Sequence, residues 1–591
     1  MFKRIIKTAL LLCSFIQLCL FASTPGKFSA ADYKRALWMT TRFYGAQRCG
    51  NGPNWLLMEH EYKTSFTHDA DASNNYDLEG GWFDCGDQVT FGQTFFYSAY
   101  MLAKAYSMFP CGFHDLYNGE TYGDYLQSGN WDMDGGRPDG IPDLLEELKY
   151  ATDWMIKATP DANTFYYQKG EGNKDHKAWV TSGKMSTLPS DSGGEPRTVY
   201  KNPNDGVMAS FAAAALAVMS KIYFKYDSVY AKQCLDHAKF AYSYAKPRKS
   251  SAAGAGDGGF YMSLTKPPEV AFITGASEMF KATNDAAYKS DAQAEQNKIG
   301  WHQYGLDYCN SHDLAPLAMG TCLKDSVKLN LTKTMFIDQY TKDLNSEGLC
   351  TKGNSSWGAL RYPANAAFLA GCWAQEKKSA LLDTFIFKQI DYILGANKSK
   401  QSFIVGIYSD SVKQPMHPHH RNVYLNDDNL PDSIQQKSLT IPDRNKFFGY
   451  LVGGSWNSAD FKDDIRQYAF TEGGLDYNAG LVGALGYIVS KLDPADTGNF
   501  TGVSSLVRRE AQVAASWLSI RRANGVLIFR TLDASKIMNL KIYNQLGKKI
   551  HEQGASSSIV KWTLAGARGV IYIHAQLNNG ATVVRPFIFM E

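Results

Sequence analysis

From residue 31 to residue 492 apolar residues recur at three- and four-residue spacing in one segment after another, and strict alternation is almost absent. That spacing lines apolar side chains along one stripe of an α-helix. It predicts helices over 32–47, 94–109, 141–156, 207–223, 229–245, 269–282, 363–373, 381–394 and 478–492. Start signals accompany several of them. Asp205-Gly206 precedes the segment at 207, and Asp143 opens a run with Glu146 and Glu147 in its first turn. Between the helices lie loops rich in Gly, Asp, Asn and Pro at 51–78, 115–142, 170–203 and 409–445. Loops of this length in a compact helical chain are more often functional than accidental. About a dozen helices with such loops gathered at one end would fit a helical barrel of two concentric rings.

The texture changes after Leu492. Residues 493–515 read as a polar linker, and 516–591 alternate in short runs broken by Ala-Asn-Gly, Leu-Gly-Lys and Asn-Asn-Gly turns. This predicts a small all-β sandwich after the helical part. At the other end, Lys3, Arg4 and Lys7 precede an apolar run from Thr8 to Ala22, followed by a polar segment. Residues 1–23 therefore read as a secretory signal peptide, and no later run is long enough to span a membrane. The expected organisation is a leader over 1–23, a helical domain over 24–492, a linker over 493–515 and a β-rich tail over 516–591.

Composition narrows the function classes. With 61 basic and 58 acidic residues among 591, the net charge of +3 gives no electrostatic reason to expect nucleic acid as a partner. Aromatic residues make up 13% of the chain, which suits flat uncharged ligands such as sugar rings as well as a large core. Eight cysteines follow the leader, too widely spaced for a zinc site. In an exported protein Cys49 and Cys85, which adjoin motifs expected to meet, are the first candidates for a disulfide.

Carboxyl groups concentrate in two distant stretches. GGWFDCGD at 80–87 places Asp84 and Asp87 on either side of a Cys-Gly turn. FKDDIRQYAFTEGGLDYNA at 461–479 carries Asp463 and Glu472 among aromatics. If these close on one cleft, the chain is a hydrolase with an acid on one side of the scissile bond and a base on the other. With WGALRYPANAAFL at 357–369, SFIVG at 402–406 followed by PHHR at 418–421, and LVGGS at 451–455, the stretches appear in an order that resembles glycoside hydrolase family 9. The resemblance covers about 32–492 and implies an all-α catalytic domain, an (α/α)6 barrel. It implies a secreted endo-β-1,4-glucanase that cleaves cellulose and related β-glucans with inversion. An exo-acting glucosidase or glucosaminidase on the same barrel, or an inactive glucan-binding protein, are the competing readings.

Residue by residue, the resemblance gives Glu472 as general acid and Asp87 as general base. Asp84 holds the same water, and Asp463 and His419 support the site. An acid of this kind must stay protonated near neutral pH, which needs an apolar or carboxylate-flanked setting. His176, Trp179, Phe260, Tyr261, Trp357, Arg361, Arg421 and Tyr477 match sugar-contacting positions. The plainer readings are a helix cap for Asp84, an exposed loop acid for Asp463 and core packing for Trp357 and Tyr477. HPHHR could suggest a metal, but adjacent histidines diverge and no other ligand stands at the right spacing. Three departures stand out. Cys85 replaces a small residue, and Gly474 sits where Ser, Thr or Ala is usual. Tyr408 and Asp410 depart from the positions before PHHR. The resemblance also implies a calcium site near 265–269, but Pro268 replaces an Asp there, leaving Glu269 and Asp285; no cofactor is expected to be required, and a structural calcium stays the weaker alternative. The tail resembles, more loosely, the β-rich tails that direct export, so the expected partners are a β-1,4-glucan and the export machinery.

Overall fold

A computed structural model describes residues 26–52, 64–116, 140–178, 180, 182–253, 260–261, 265–408, 411–413, 449–495, 518–523, 526–531, 536–544, 549–563, 570–578 and 582–588. Among the described residues twelve helices build the main body: α1 (Ala30–Ala46), α2 (Gly92–Met108), α3 (Asp143–Ala158), α4 (Gly206–Ile222), α5 (Ser228–Ala245), α6 (Glu269–Thr283), α7 (Ala286–Ala294), α8 (Leu314–Cys322), α9 (Ser326–Leu331), α10 (Arg361–Lys377), α11 (Asp383–Leu394) and α12 (Leu475–Leu492). Even-numbered helices form a closed inner ring, since α2 packs on α4, α4 on α6, α6 on α8, α8 on α10, α10 on α12 and α12 back on α2. Odd-numbered helices lie outside, each against an inner neighbour. This is the (α/α)6 barrel that the periodicity and the resemblance lead one to expect.

Local chemistry explains the helix starts. Ser29 and Asp32 form a capping box on α1. Asp205, Asp227, Asp285 and Asp325 cap α4, α5, α7 and α9 by accepting from first-turn amides. Burial on every side marks the inner ring: α8 has no exposed residue, and α2 and α4 have almost none. Small residues let the inner helices approach closely. On α12, side chains at Gly480 and Gly483 would collide with Asn365 and Phe368 of α10. A buried charged pair ties three helices of this ring together. Lys104 of α2 donates to Glu278 of α6 at 2.7 Å and to Thr321 of α8 at 2.8 Å, and Tyr100 donates to the same Glu278 at 3.1 Å. Removing either charge alone would leave the other buried and unpaired.

The 170–203 stretch, expected as a loop, is more ordered than its composition suggests. It carries short helices at Gly172–Asp175 and Ser182–Ser186, and its Val199–Lys201 strand pairs with Tyr166–Lys169, which in turn pairs with Thr90–Phe91. The C-terminal part forms two antiparallel sheets. Strands 537–544, 549–557, 570–577 and 582–588 make one, and strands 518–523, 526–531 and 559–563 the other. Both contribute fully or almost fully buried side chains, Ile537, Leu540, Ile542 and Ile573 from the first, Phe529 and Val560 from the second. No helix among the described residues is long and apolar enough to cross a membrane.

Candidate active site

The turn that carries Asp84 and Asp87 is pinned from several directions. Asp84 N–H donates to the Val89 carbonyl at 3.0 Å, closing the turn on itself. The Gln47 amide, just past the end of α1, donates to the carbonyls of Asp84 and Cys85 at 3.2 and 3.1 Å. Two buried cations brace its ends. Lys169 donates to the Gly80 carbonyl at 2.6 Å, and Arg197 donates to the Gln88 carbonyl at 2.5 Å. Both cations converge on buried Asp69. Lys169 stands 3.1 Å from it, and Arg197 holds it through Nε at 2.9 Å and through Nη2. Burial would raise the Asp69 carboxyl, but the two cations outweigh it and hold it below the ordinary range.

Within this frame the carboxylates face one another. The Thr94 hydroxyl donates to Asp84 Oδ1, while Oδ2 has no well-formed hydrogen bond. Asp84 is pushed up to about 6, by burial first and by the Asp476 charge; the Thr94 and Tyr261 hydroxyls and the Cys85 thiol work against that rise. Asp87 Oδ1 accepts from the Val89 amide at 3.0 Å, and His176 Nε2 lies 4.0 Å from its Oδ2. Burial and the neighbouring charges of Asp84, Asp175 and Glu472 push Asp87 well above the usual carboxylate range. Asp175 sits behind it, accepting from the Gln88 amide at 3.2 Å, and burial pushes it up to about 7.

Glu472 reaches the same place from the start of α12. Its amide donates to Tyr468 O at 2.9 Å and its carbonyl accepts from Gly453 N at 2.7 Å, so the backbone on both sides of the side chain is fixed. The carboxyl is half-buried and pushed up to about 7, by burial first and then by Asp84. The Gly86 amide, the Trp357 indole and the Arg361 charge lower it in part. A carboxyl held there is still substantially protonated at neutral pH, beside Asp84, which at about 6 is largely ionised and can accept a proton. That pairing is what acid–base hydrolysis needs.

The aromatic positions divide into lining and support. Trp357 and Tyr468 are exposed, with ring centroids 5.1 Å apart. Phe260 is exposed too, stacked on Phe91 at 6.0 Å and edge-on to His176 at 5.2 Å. Tyr261 packs on Phe91 and Tyr308. Arg361 and Tyr477 are buried instead. Arg361 forms an ion pair with Asp476, donates to the Trp357 carbonyl at 3.3 Å and lies 4.3 Å over the Tyr477 ring. These two hold the wall from behind.

Asp463 accepts from the Lys413 amide at 2.7 Å. Trp179, His419, Arg421, Asp410 and the 1–23 leader lie outside the described residues. The expected disulfide is not formed. Cys49 and Cys85 are both free thiols, Cys49 facing Arg197 and Lys169 and Cys85 facing Tyr261. At the calcium position that the resemblance implied, both carboxylates are engaged by protein groups. Glu269 accepts from Ser250 at 2.8 Å and stands 3.5 Å from the Lys298 ammonium, and Asp285 is spent on capping α7.

One cavity was not foreseen from the sequence. A cavity of about 770 Å³ opens beside Tyr362, lined by Tyr304, Asp307, Asn310, His302 and His312 among others. Trp301 and Tyr304, both more than half exposed, stand in the same segment. The signal was the aromatic-rich run WHQYGLDY at 301–308, which carries no helical stripe and yet is crowded with rings.

Comparison with known proteins settles the family. The sequence profile of Glycosyl hydrolase family 9 matches residues 33–485. The chain belongs to glycoside hydrolase family 9. Its relatives include Endoglucanase A of Fibrobacter succinogenes, 35% identical over 419 residues, covering 68% of this chain and 90% of the relative. An endoglucanase of Dictyostelium discoideum is 31% identical over 511 residues, covering 82% and 64%. Among solved structures, the cellulase Cel9M of C. cellulolyticum superposes with a TM-score of 0.62 at 28% identity, covering 77% of this chain and 98% of that one. The endoglucanase of the termite Nasutitermes takasagoensis gives 0.62 at 27% identity, covering 78% and 99%. The family 9 match spans α1 to α12 and leaves the C-terminal sheets outside it.

Proposed function

We propose that this family 9 protein is a secreted endo-β-1,4-glucanase that hydrolyses internal bonds of cellulose and related β-glucans with inversion. The carrying observation is the Glu472 carboxyl, half-buried, titrating at about 7 and facing Asp84 and Asp87. In the proposed reaction Glu472 protonates the leaving glycosidic oxygen. Asp87 draws a proton from a water on the opposite face of the sugar, and that water attacks the anomeric carbon. Asp84 offers its unsatisfied Oδ2 to the same water. Inversion needs the acid and base about 6.5–9.5 Å apart so that the water fits between them. Exposed Trp357, Tyr468 and Phe260 supply flat faces for sugar rings, while Arg361 and Tyr477 keep the wall behind Glu472 rigid. The chemistry uses carboxyl groups and water only, so it calls for no cofactor.

Relatives named endoglucanase and neighbours named cellulase support the choice of substrate. Secretion rests on the basic residues and apolar run at 1–23, and the C-terminal sheets are read as the tail that directs export. The test is the time course on a soluble β-1,4-glucan. An endo enzyme collapses the viscosity while few reducing ends have formed. Release of mono- or disaccharide with viscosity nearly unchanged would contradict the endo assignment.

A further inference from the structure

Two departures in the sequence, Cys85 and Gly474, lie against each other in the fold. Gly474 is the residue before α12, two positions after Glu472, and Cys85 stands between Asp84 and Gly86. The backbone of Gly474 is extended, with φ −154°, a conformation open to any residue. Glycine is therefore required there by space, not by backbone geometry. A Cβ at 474 would come 2.7 Å from Cys85 Sγ, with Asp476 Oδ1 at 3.4 Å and Tyr477 Cδ1 at 3.5 Å as its next neighbours. The thiol occupies the volume a side chain would take.

That sulfur has little room to retreat. Cys85 is buried, and its Sγ makes a 3.4 Å contact with the Tyr261 hydroxyl. Tyr261 is itself wedged between Phe91 at 4.8 Å and Tyr308 at 5.3 Å. The main chain on either side of the contact is tied across the cleft. Leu475 N–H donates to the Asp84 carbonyl at 3.1 Å, and the Gly86 amide faces the Glu472 carboxyl.

We propose that Cys85 and Gly474 are a positioning pair: the thiol fills the space left by the missing side chain, and this interlock sets the separation of the loop bearing Asp84 and Asp87 from the loop bearing Glu472. The pair acts through the carboxylates and not on the substrate. A larger residue at 474 pushes the sulfur, and with it the Gly86 amide, away from Glu472. Loss of that donor leaves the Glu472 carboxylate less supported, so its proton is held more tightly. A smaller residue at 85 makes the room that a side chain at 474 needs.

The inference rests on the hydrolase reading, and the test separates the two. Wild type, Gly474→Ala, Cys85→Ala and the double variant are compared for kcat, KM and pH profile on a soluble cello-oligosaccharide, and for thermal midpoint. Gly474→Ala alone is expected to lower kcat about tenfold with KM nearly unchanged, because small displacements of reacting groups cost rate more than binding. Its alkaline limb should move to higher pH, which a purely structural defect would not cause. Cys85→Ala should lose about threefold from the loosened contact, and the double variant should recover to within about threefold of wild type, the non-additivity of touching residues. A double variant as slow as Gly474→Ala, or a Gly474→Ala enzyme with wild-type kcat and pH profile, would overturn the proposal. If Gly474→Ala does not fold, a folded and active double variant supports the interlock and an unfolded one refutes it. If wild type hydrolyses no β-1,4-glucan, the functional reading fails, and the four thermal midpoints still decide the interlock by the same recovery.

Discussion

The Lys169 ammonium donates to the Gly80 carbonyl at 2.6 Å, so a buried charge props the first residue of the turn that presents Asp84 and Asp87. The same ammonium stands 3.1 Å from Asp69, whose other partner, Arg197, holds the far end of the turn at Gln88. The turn is thus gripped by one compact cluster of charges. Replacing Lys169 by Met removes one cation and leaves Asp69 and the Gly80 carbonyl short of a partner. The expected cost is about 3 kcal/mol or more. Chemical denaturation should show the loss. A Lys169→Met protein as stable as wild type would mean that Arg197 alone satisfies Asp69.

Glu472→Gln keeps the shape of the side chain and removes its proton. Hydrolysis should fall by at least about 10³-fold, while affinity for cellotetraose, read by calorimetry, stays within about threefold. An active Gln variant would remove Glu472 from the role of acid.

Acidity in the site carries a stability signature of definite sign. Folded Glu472, Asp84 and Asp175 titrate at about 7, about 6 and about 7, above the ordinary values near 4 of an unfolded chain. Between those limits the folded state holds protons that the unfolded chain has released. The stability they lend is therefore complete below the unfolded values and is lost as pH rises through the folded ones. The thermal midpoint should fall from pH 5 to pH 8, and Glu472→Gln should flatten that fall by roughly 2 °C. A midpoint that rises over this range would contradict the burial of these carboxyls.

In the proposed reaction Trp357 has two separable duties: its exposed face is the sugar platform, and its indole N–H supports the Glu472 carboxylate. Trp357→Phe keeps a ring and deletes the donor, so the alkaline limb of kcat should shift upward while KM changes little. Trp357→Ala should shift the limb and raise KM about tenfold. Equal KM values in the two variants would show that no sugar stacks there.

Much of this was legible from the chain because the information is local. Nine helices show in periodicity, and the carboxylates show because each sits in a short, distinctive run. The missing helices have physical reasons. Leu314–Cys322 is buried on all sides and so has no stripe, whereas Ala286–Ala294 buries only Ala292 and has almost no apolar face. The Lys169–Asp69–Arg197 cluster was not legible, because its members come from separated segments and pair only after the fold has formed. The expected Cys49–Cys85 bond failed for the same reason. Proximity of motifs does not fix where a side chain points, and each thiol found different neighbours.

The central claim is that Glu472 and Asp87 act from opposite sides of a water molecule. Proton NMR of a soluble cello-oligosaccharide in the first minutes of hydrolysis tests it most directly. Newly released α-anomer is the predicted result, the product of a single inverting displacement. Newly released β-anomer would mean retention through a covalent carboxylate intermediate, and the roles given to Glu472 and Asp87 would not stand.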